Sequence, residues 1–523
     1  MRCNRRAGVG RPLRLPPGCA RAARPLSIPP VPRMNLTTLR MALMGLCLTV
    51  AVAVPARAQC PAAGAPIVVL NGLNASGNIT GTQTLVNTNV YVLQNVVEVK
   101  SGGELIVPAG TCIFADAGLE PSSLIIRRGG KITAIGTPSS PIIISSANNT
   151  ELFNVGATYQ DAPGAPAAND WGGVTIIGNG VCNGANDTTV GSPDDLIPGD
   201  CEVEGIDTRL PGFTLAEADA VDNLGFGRLT WGGSTPADNS GTLQYVRIEY
   251  AGFTLTPNNE LNLLTLFGVG SGTTIDHVHL KQGSDDGLEI FGGAVDVKFI
   301  VVTAAQDDSF DYSYGWTGRA QFVLAQLPGG ANPTLANGDR GIEADNNERE
   351  AGEAAGNTDF NLTPRTKPVV YNSTFIGNGG TNSQAIQVRR GVAGTVQNTL
   401  VSAFALGINV DDNETYALCN NSDTGELWID NVRFSDGTLV AAVPLLYQTA
   451  ATDANCAGNA VAQSLTGLTA NAANRTAPNF QPLAGFGGAT PPTGGFFDTS
   501  ATYLGAVQAG GTPFYQVGSW VRF

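Results

Sequence analysis

Ser284-Asp285-Asp286-Gly287-Leu288-Glu289-Ile290-Phe291-Gly292-Gly293 is matched further along by Gln306-Asp307-Asp308-Ser309-Phe310-Asp311-Tyr312-Ser313-Tyr314-Gly315. Each stretch has an Asp pair, then alternating apolar and acidic positions, then glycine. The short run returns as Gly341-Ile342-Glu343-Ala344-Asp345, Ala385-Ile386-Gln387-Val388-Arg389 and Gly407-Ile408-Asn409-Val410-Asp411. The step from Ala385 to Gly407 equals the step from Ser284 to Gln306. From Ile342 to Ile386 the step is twice as long, with residues 346–367 as one polar loop between them. A second strand type alternates with the first, as in 243–250, 275–280, 295–302, 320–327, 369–376 and 396–404. Helical periodicity is nearly absent, and Gly, Asn and Asp separate the β-rich runs. A period of roughly 20–25 residues is what one turn of a three-sided parallel coil needs. The fold predicted is all-β: a right-handed parallel β-helix, a β-solenoid with long loop insertions and a C-terminal capping segment. A leucine-rich solenoid shares the period but needs a Leu/Asn consensus that is absent. A β-sandwich does not explain the repeated offset.

Outward from this core, 124–126, 131–135, 141–144 and 171–177 read as earlier strands, with polar insertions at 148–170 and 178–230. Past residue 435 the pattern weakens into an Ala-, Gly-, Thr- and Pro-rich tail ending in an aromatic run. The expected organisation is a leader over 1–58, a parallel β-helix over 59–435 and coils with a capping segment over 436–523. Within the leader, residues 1–33 read either as a start placed too early or as a long n-region. Residues 34–58 read as a signal peptide: Arg40, an apolar run from Met41 to Val54, and an Ala-x-Ala site at Ala56-Arg57-Ala58. The predicted location is outside the cytoplasm of a Gram-negative bacterium, as an extracellular, cell-surface or periplasmic protein. No transmembrane segment is expected in the mature chain.

Residues 1–58 hold ten of the 29 basic residues and none of the 44 acids, so the remainder has 19 basic residues and a net charge of −25. Such a surface repels nucleic acid and anionic headgroups and suits divalent cations. Six cysteines remain, an even number consistent with disulfides in an oxidising compartment. Sequence proximity favours Cys182–Cys201 and Cys419–Cys456, leaving Cys60–Cys112.

Several strings resemble a known group: DWGG (170–173), SGTLQYVRIEYAG (240–252), NELN (259–262), GVGSGTTIDHV (268–278), GSDDGLEIFGG (283–293) and QDDSFDYSYGWTG (306–318), with the aromatic ending. They are similar to secreted bacterial β-helix proteins usually described only as hypothetical exported proteins or lipoproteins. The resemblance runs from about residue 65 to the end. It implies the fold and carries no catalytic residues. More remotely the architecture is similar to the pectate-lyase-like superfamily, which holds polysaccharide lyases, hydrolases, adhesins and inert passenger domains.

Strand alternation puts Leu288/Ile290, Phe310/Tyr312 and Ile342/Ala344 inside, so Glu289, Asp311 and Glu343 point outward, about 4.8 Å apart per rung. Like charges so stacked repel unless a cation intervenes. Oxygen ligands at this density suit Ca2+. The candidate metal ligands are Asp285, Asp286, Asp307, Asp308, Asp311 and Glu289; the alternative is aspartates capping their own turns. A catalytic reading uses the same face. Arg389 is a candidate base for uronate proton abstraction, or a salt-bridge partner of Asp345 or Asp411. Asp308 and Asp311 are a candidate acid–base pair for glycoside hydrolysis. Tyr314 and Trp316 are candidates for stacking on sugar, or else pack in the core or corner. His277 and His279, two apart on a strand, are expected to share a face and offer either a metal-ligating pair or packed side chains. Two histidines leave little material for a Ser-His-Asp mechanism. The partner expected is a polysaccharide or cell-surface glycan. Two functions compete: a non-enzymatic, Ca2+-stabilised solenoid for display, adhesion or glycan binding, and a Ca2+-dependent polysaccharide lyase or glycoside hydrolase.

Overall fold

In the computed structural model, the described residues are 60–61, 64–71, 78–118, 122–153, 159–162, 164–183, 201–202, 230–256, 259–328, 340–347, 360–379, 383–419, 426–435, 446–448, 462–463, 474 and 476–523. The leader and Cys456 lie outside them, as does most of the loop after Asn347. Pro55–Phe523 form one compact unit. Two long sheets, of 16 and 10 strands among the described residues, contain parallel pairs throughout. The chain is a parallel β-helix.

Three ladders make the faces. One ladder, the ten-stranded sheet, stacks Val96–Val99, Ser123–Ile126, Val174–Ile177, Leu264–Phe267, Leu288–Phe291, Phe310–Ser313, Arg340–Asp345, Gln384–Arg389, Leu406–Val410 and Leu446–Gln448. The other two begin as separate strands, Lys131–Ile135 and Ile142–Ser146, and merge in the long strand Gly241–Glu249. Gly241 to Gln244 pair with the first of these strands, and Val246 to Ile248 with the second. Tyr245, left out of both registers, takes φ 51° and bends the strand. The same left-handed bend recurs at His277, Phe299, Phe322, Asn372, Asn398 and Asn431, one residue per rung. Among these types asparagine and histidine adopt that conformation more readily than tyrosine or phenylalanine.

The repeat offset of the sequence becomes direct register: Leu288 opposite Phe310, Glu289 opposite Asp311, Ile290 opposite Tyr312. Inward side chains of all three ladders form one apolar core. Each fully buried Leu, Ile or Val there contributes about 1.5–3 kcal/mol. Gly287 is required by packing, because a Cβ there would lie 2.3 Å from Val302 Cγ1.

The bend corrects the histidine reading. Alternation breaks at His277, so the two imidazoles do not form a ligand pair. His277 stacks between Tyr245 and Phe299, with ring centroids 4.3 Å from each. His279 is wholly buried and meets Thr303.

Residues 476–523 run back along the flank, beside the bends. Asn398 exchanges hydrogen bonds with Ala489, accepting at 2.8 Å and donating at 2.7 Å. Asn372 donates to Ala501 O at 3.1 Å and Tyr503 O at 2.7 Å, and Lys298 donates to Phe496 O at 2.7 Å. At the far end Trp520 packs edge-on to Tyr245 and His277. In this flanking strap, backbone groups satisfy Asn372 and Asn398 of the bend column, and rings cover its aromatic half. Disulfides Cys60–Cys112 and Cys182–Cys201 are formed, and Cys419 is disulfide-bonded.

Candidate functional site

The ten-stranded sheet carries one outward column in register: Glu98, Ile125, Thr175, Thr265, Glu289, Asp311, Glu343, Gln387, Asn409. These side chains point away from the core, yet Glu289, Asp311 and Glu343 are only 5%, 4% and 6% exposed. The outward-pointing acidic face is therefore a covered one. Among the described residues, Asn262 lies against Glu289, and Arg340 and Arg389 lie against Glu343 at 3.0 and 2.6 Å.

A second column stands at the corner before each strand: Asn262, Asp286, Asp308, Arg340, Gln384. Each of the first three side chains accepts the backbone N–H of the next rung. Asn262 Oδ1 takes Asp286 N–H at 3.0 Å, Asp286 Oδ1 takes Asp308 N–H at 2.7 Å, and Asp308 Oδ1 takes Arg340 N–H at 2.8 Å. The corner acids therefore hold turns together, but across rungs instead of within their own turn.

Arg340 changes the upper part of this face. Its guanidinium lies 3.0 Å from Glu343 and 3.4 Å from Asp308, and it donates to Gln387. Arg389 lies 2.6 Å from Glu343 and 2.7 Å from Asp345; Arg390 lies 2.6 Å from Asp345. Arg389 is thus the ion-pair partner of Asp345, joined also to Glu343, and a guanidinium gripped by two carboxylates is a poor proton acceptor. Arg340 escaped sequence reasoning, although counting back from Ile342 as from Leu288 places it in the Asp286 column.

Three carboxylate groups converge to within 4.8 Å between ligand oxygens: Asp285, Asp286 and Asp307; Asp286, Glu289 and Asp311; Asp308, Asp311 and Glu343. The third contains the two acids that Arg340 contacts. The first two share Asp286. Burial, then the charges of Asp285, Asp308, Asp311 and Asp307, drive the Asp286 carboxyl well above its ordinary range. Burial also pushes Asp308 up to about 6, against the pull of Arg340. For Glu343 burial, then Asp308, raises the carboxyl despite Arg389 and Arg340. Asn262 Nδ2 donates to Glu289. Five of the six predicted ligands thus fall into two overlapping groups, and Asp308 belongs with the arginines.

Of the two aromatic readings, Trp316 follows packing in the core. Trp316 is completely buried, donates from Nε1 to Val295 O at 3.0 Å, and packs on Phe310 and Tyr312. A ring so enclosed offers no face to a sugar. Tyr314 packs against Trp231 and Phe291. Phe267 and Phe291 stack at 4.4 Å beside the Cys182–Cys201 disulfide in a small satellite core.

A three-sided parallel solenoid with a covered acidic ladder on one face is the class these features define. The chain belongs to the family described as pectate-lyase like beta helix domain, which it matches over residues 77–196 and 216–479. No curated protein and no solved structure matches it.

Proposed function

We propose that this protein is an exported, non-catalytic β-solenoid for surface display, adhesion or glycan binding, with Ca2+ held where Asp285, Asp286, Asp307, Asp311 and Glu289 converge. The observation that carries the non-catalytic reading is the state of the basic groups on the acidic face. Arg340, Arg389 and Arg390 are each held by carboxylates. The Ca2+ reading rests on hard oxygen atoms gathered at two overlapping groups centred on buried Asp286. Ca2+ takes six to eight oxygens in flexible geometry, and its charge offsets the repulsion that burial intensifies. Two formed disulfides are compatible with export, and among the described residues no helix is long and apolar enough to cross a membrane. The family is compatible with a polysaccharide partner.

A polysaccharide lyase or glycoside hydrolase is the second reading. It is favoured by one feature: Asp308, raised to about 6, shares a carboxylate group with Asp311. Glycoside hydrolysis uses a pair of carboxyl groups, one of them with a raised value. Against it, both acids are buried, at 1% and 4% exposure. The test is a screen of the purified protein, with Ca2+, against neutral and uronate polysaccharides, scoring binding and product release separately. Retention of a glycan without unsaturated or reducing ends supports the proposal. Turnover abolished by Asp308→Asn or Asp311→Asn would replace it with the enzyme reading.

A further inference from the structure

The last residues of the strap end on the most deeply buried histidine of the molecule. His279 lies on the long strand Thr274–Lys281, opposite Arg247 below and Val301 above. Its Nε2 is 3.0 Å from Thr303 Oγ1, and its Nδ1 accepts the backbone N–H of Arg522 at 3.4 Å. This pairing selects the neutral tautomer that carries its proton on Nε2 and donates it to Thr303. A protonated imidazole has no lone pair for Arg522 N–H.

The surroundings oppose a positive charge. Arg247 is buried and paired to Glu249 at 2.7 Å, Lys281 lies two residues along the strand, and Arg522 brings a third cation, paired to Glu151. Glu249 is already occupied by Arg247, Ser145 and Asn149. Burial first, then Arg247 and Lys281, hold the His279 imidazole well below its ordinary value. The strap end is anchored by few other polar contacts: Ser519 N–H to Pro138 O at 2.6 Å, and Arg247 to Ser519 O at 3.4 Å. Apolar contacts complete the seat, with Phe523 against His279 and Trp520 across Tyr245 and His277.

We propose that His279 is the catch of an acid-released latch: protonation ejects residues 513–523 from the flank and uncovers the aromatic bend at Tyr245 and His277. The docked state requires neutral His279, whereas a released strap leaves an imidazole hydrated and free to titrate toward its ordinary value of about 6.5, held lower only by Arg247 and Lys281. Release therefore takes up one proton. Below about pH 6.5 each pH unit multiplies the released fraction by about ten, until the docked imidazole itself titrates. His277 is the competing titratable group, because it faces Trp520 and contacts Asp276. The remaining facing charges are Glu249, Glu151, Arg247, Lys281, Arg522 and the phenol of Tyr250. An ordinary carboxylate titrates lower, and arginine, lysine and tyrosine higher.

Hydrogen exchange of the full-length purified protein, corrected for intrinsic rates and resolved by segment, tests the latch between pH 7.5 and 5. Protection of 513–523 should fall about tenfold per pH unit below about 6.5, while strands such as Gly394–Ser402 hold theirs. His279→Asn, which keeps an acceptor but cannot be charged, should flatten the profile; His277→Gln should leave it intact. Should the asparagine variant fail to fold, the wild-type slope and its confinement to the strap still decide. A pH-independent strap, a dependence that disappears with His277→Gln, or simultaneous loss of protection in strap and solenoid would each overturn the proposal.

Discussion

The two ends of the acidic face solve one electrostatic problem differently. Around Asp308, Glu343 and Asp345, three arginines lie among the carboxylates at 2.6–3.4 Å. One turn lower, Asp286 sits where Asp285 and Asp307 converge on one side and Glu289 and Asp311 on the other. The strand pattern is the same at both ends. What differs is the corner residue, Arg340 above and Asp286 or Asp308 below. A solenoid repeats its backbone, so a single substitution in a stacked column changes the local charge balance without changing the fold. The upper end carries its counter-charge in the sequence. The lower end, in our proposal, takes it from solution.

Removing the built-in charge should break this comparison most visibly. Arg340→Met leaves Asp308 and Glu343 buried beside each other. We expect a loss of about 3–5 kcal/mol in urea unfolding at pH 7.5, largely recovered by adding Asp308→Asn and Glu343→Gln. A loss below about 1 kcal/mol would mean the guanidinium is not the compensating charge. Core truncation provides the scale: Ile386→Ala, at 0% exposure on the same sheet, should cost about 2–5 kcal/mol whatever the calcium concentration.

The lower end should respond to Asp286→Asn in the opposite way. Asparagine Oδ1 can still accept the Asp308 N–H, so the turn survives while the shared ligand goes. Calcium affinity should fall by about tenfold, about 1.4 kcal/mol. In calcium-free buffer at pH 7.5 the variant should be at least as stable as the parent. Asp285→Asn, at a half-buried position, should change calcium affinity in the same direction by less.

The pH dependence sharpens the contrast further. Asp286 and Asp308 have folded-state values above their unfolded ones, so the native protein binds more protons in the interval between. Without divalent cation, Asp308 makes stability fall as pH rises from about 4 through about 6, and Asp286 acts in the same direction. Calcium should reverse this loss at pH 7.5 and matter little at pH 5, where protons compete for the same oxygens. His279 acts with the opposite sign: its depressed value removes stability as pH falls below about 6.5, at the strap.

Much of this face is legible in the sequence, because a constant repeat length converts spacing directly into register. Glu289 over Asp311 and both Asp pairs follow from that alone. Other features depend on atoms distant in the chain. Arg340 reaches Gln387 of the outward column across 47 residues, so burial of that column has no local signature. Arg340 is separated from Asp308 by 32 residues, and only the register makes it a neighbour. Trp316 follows a polar turn, as a surface ring would, but the turn directs it into the core. The bend at His277 is left-handed in the middle of a strand, which is why simple alternation misplaced the two histidines.

The most direct test of the account is calcium binding by the purified protein, followed by titration calorimetry and thermal unfolding at pH 7.5, with elemental analysis of the retained metal. Retained Ca2+ and a melting midpoint that rises with its concentration are expected, with about tenfold more Ca2+ needed for the same rise in Asp286→Asn. No bound metal and an unchanged midpoint would contradict it, and would leave the lower carboxylates balanced by protons and neighbouring side chains alone.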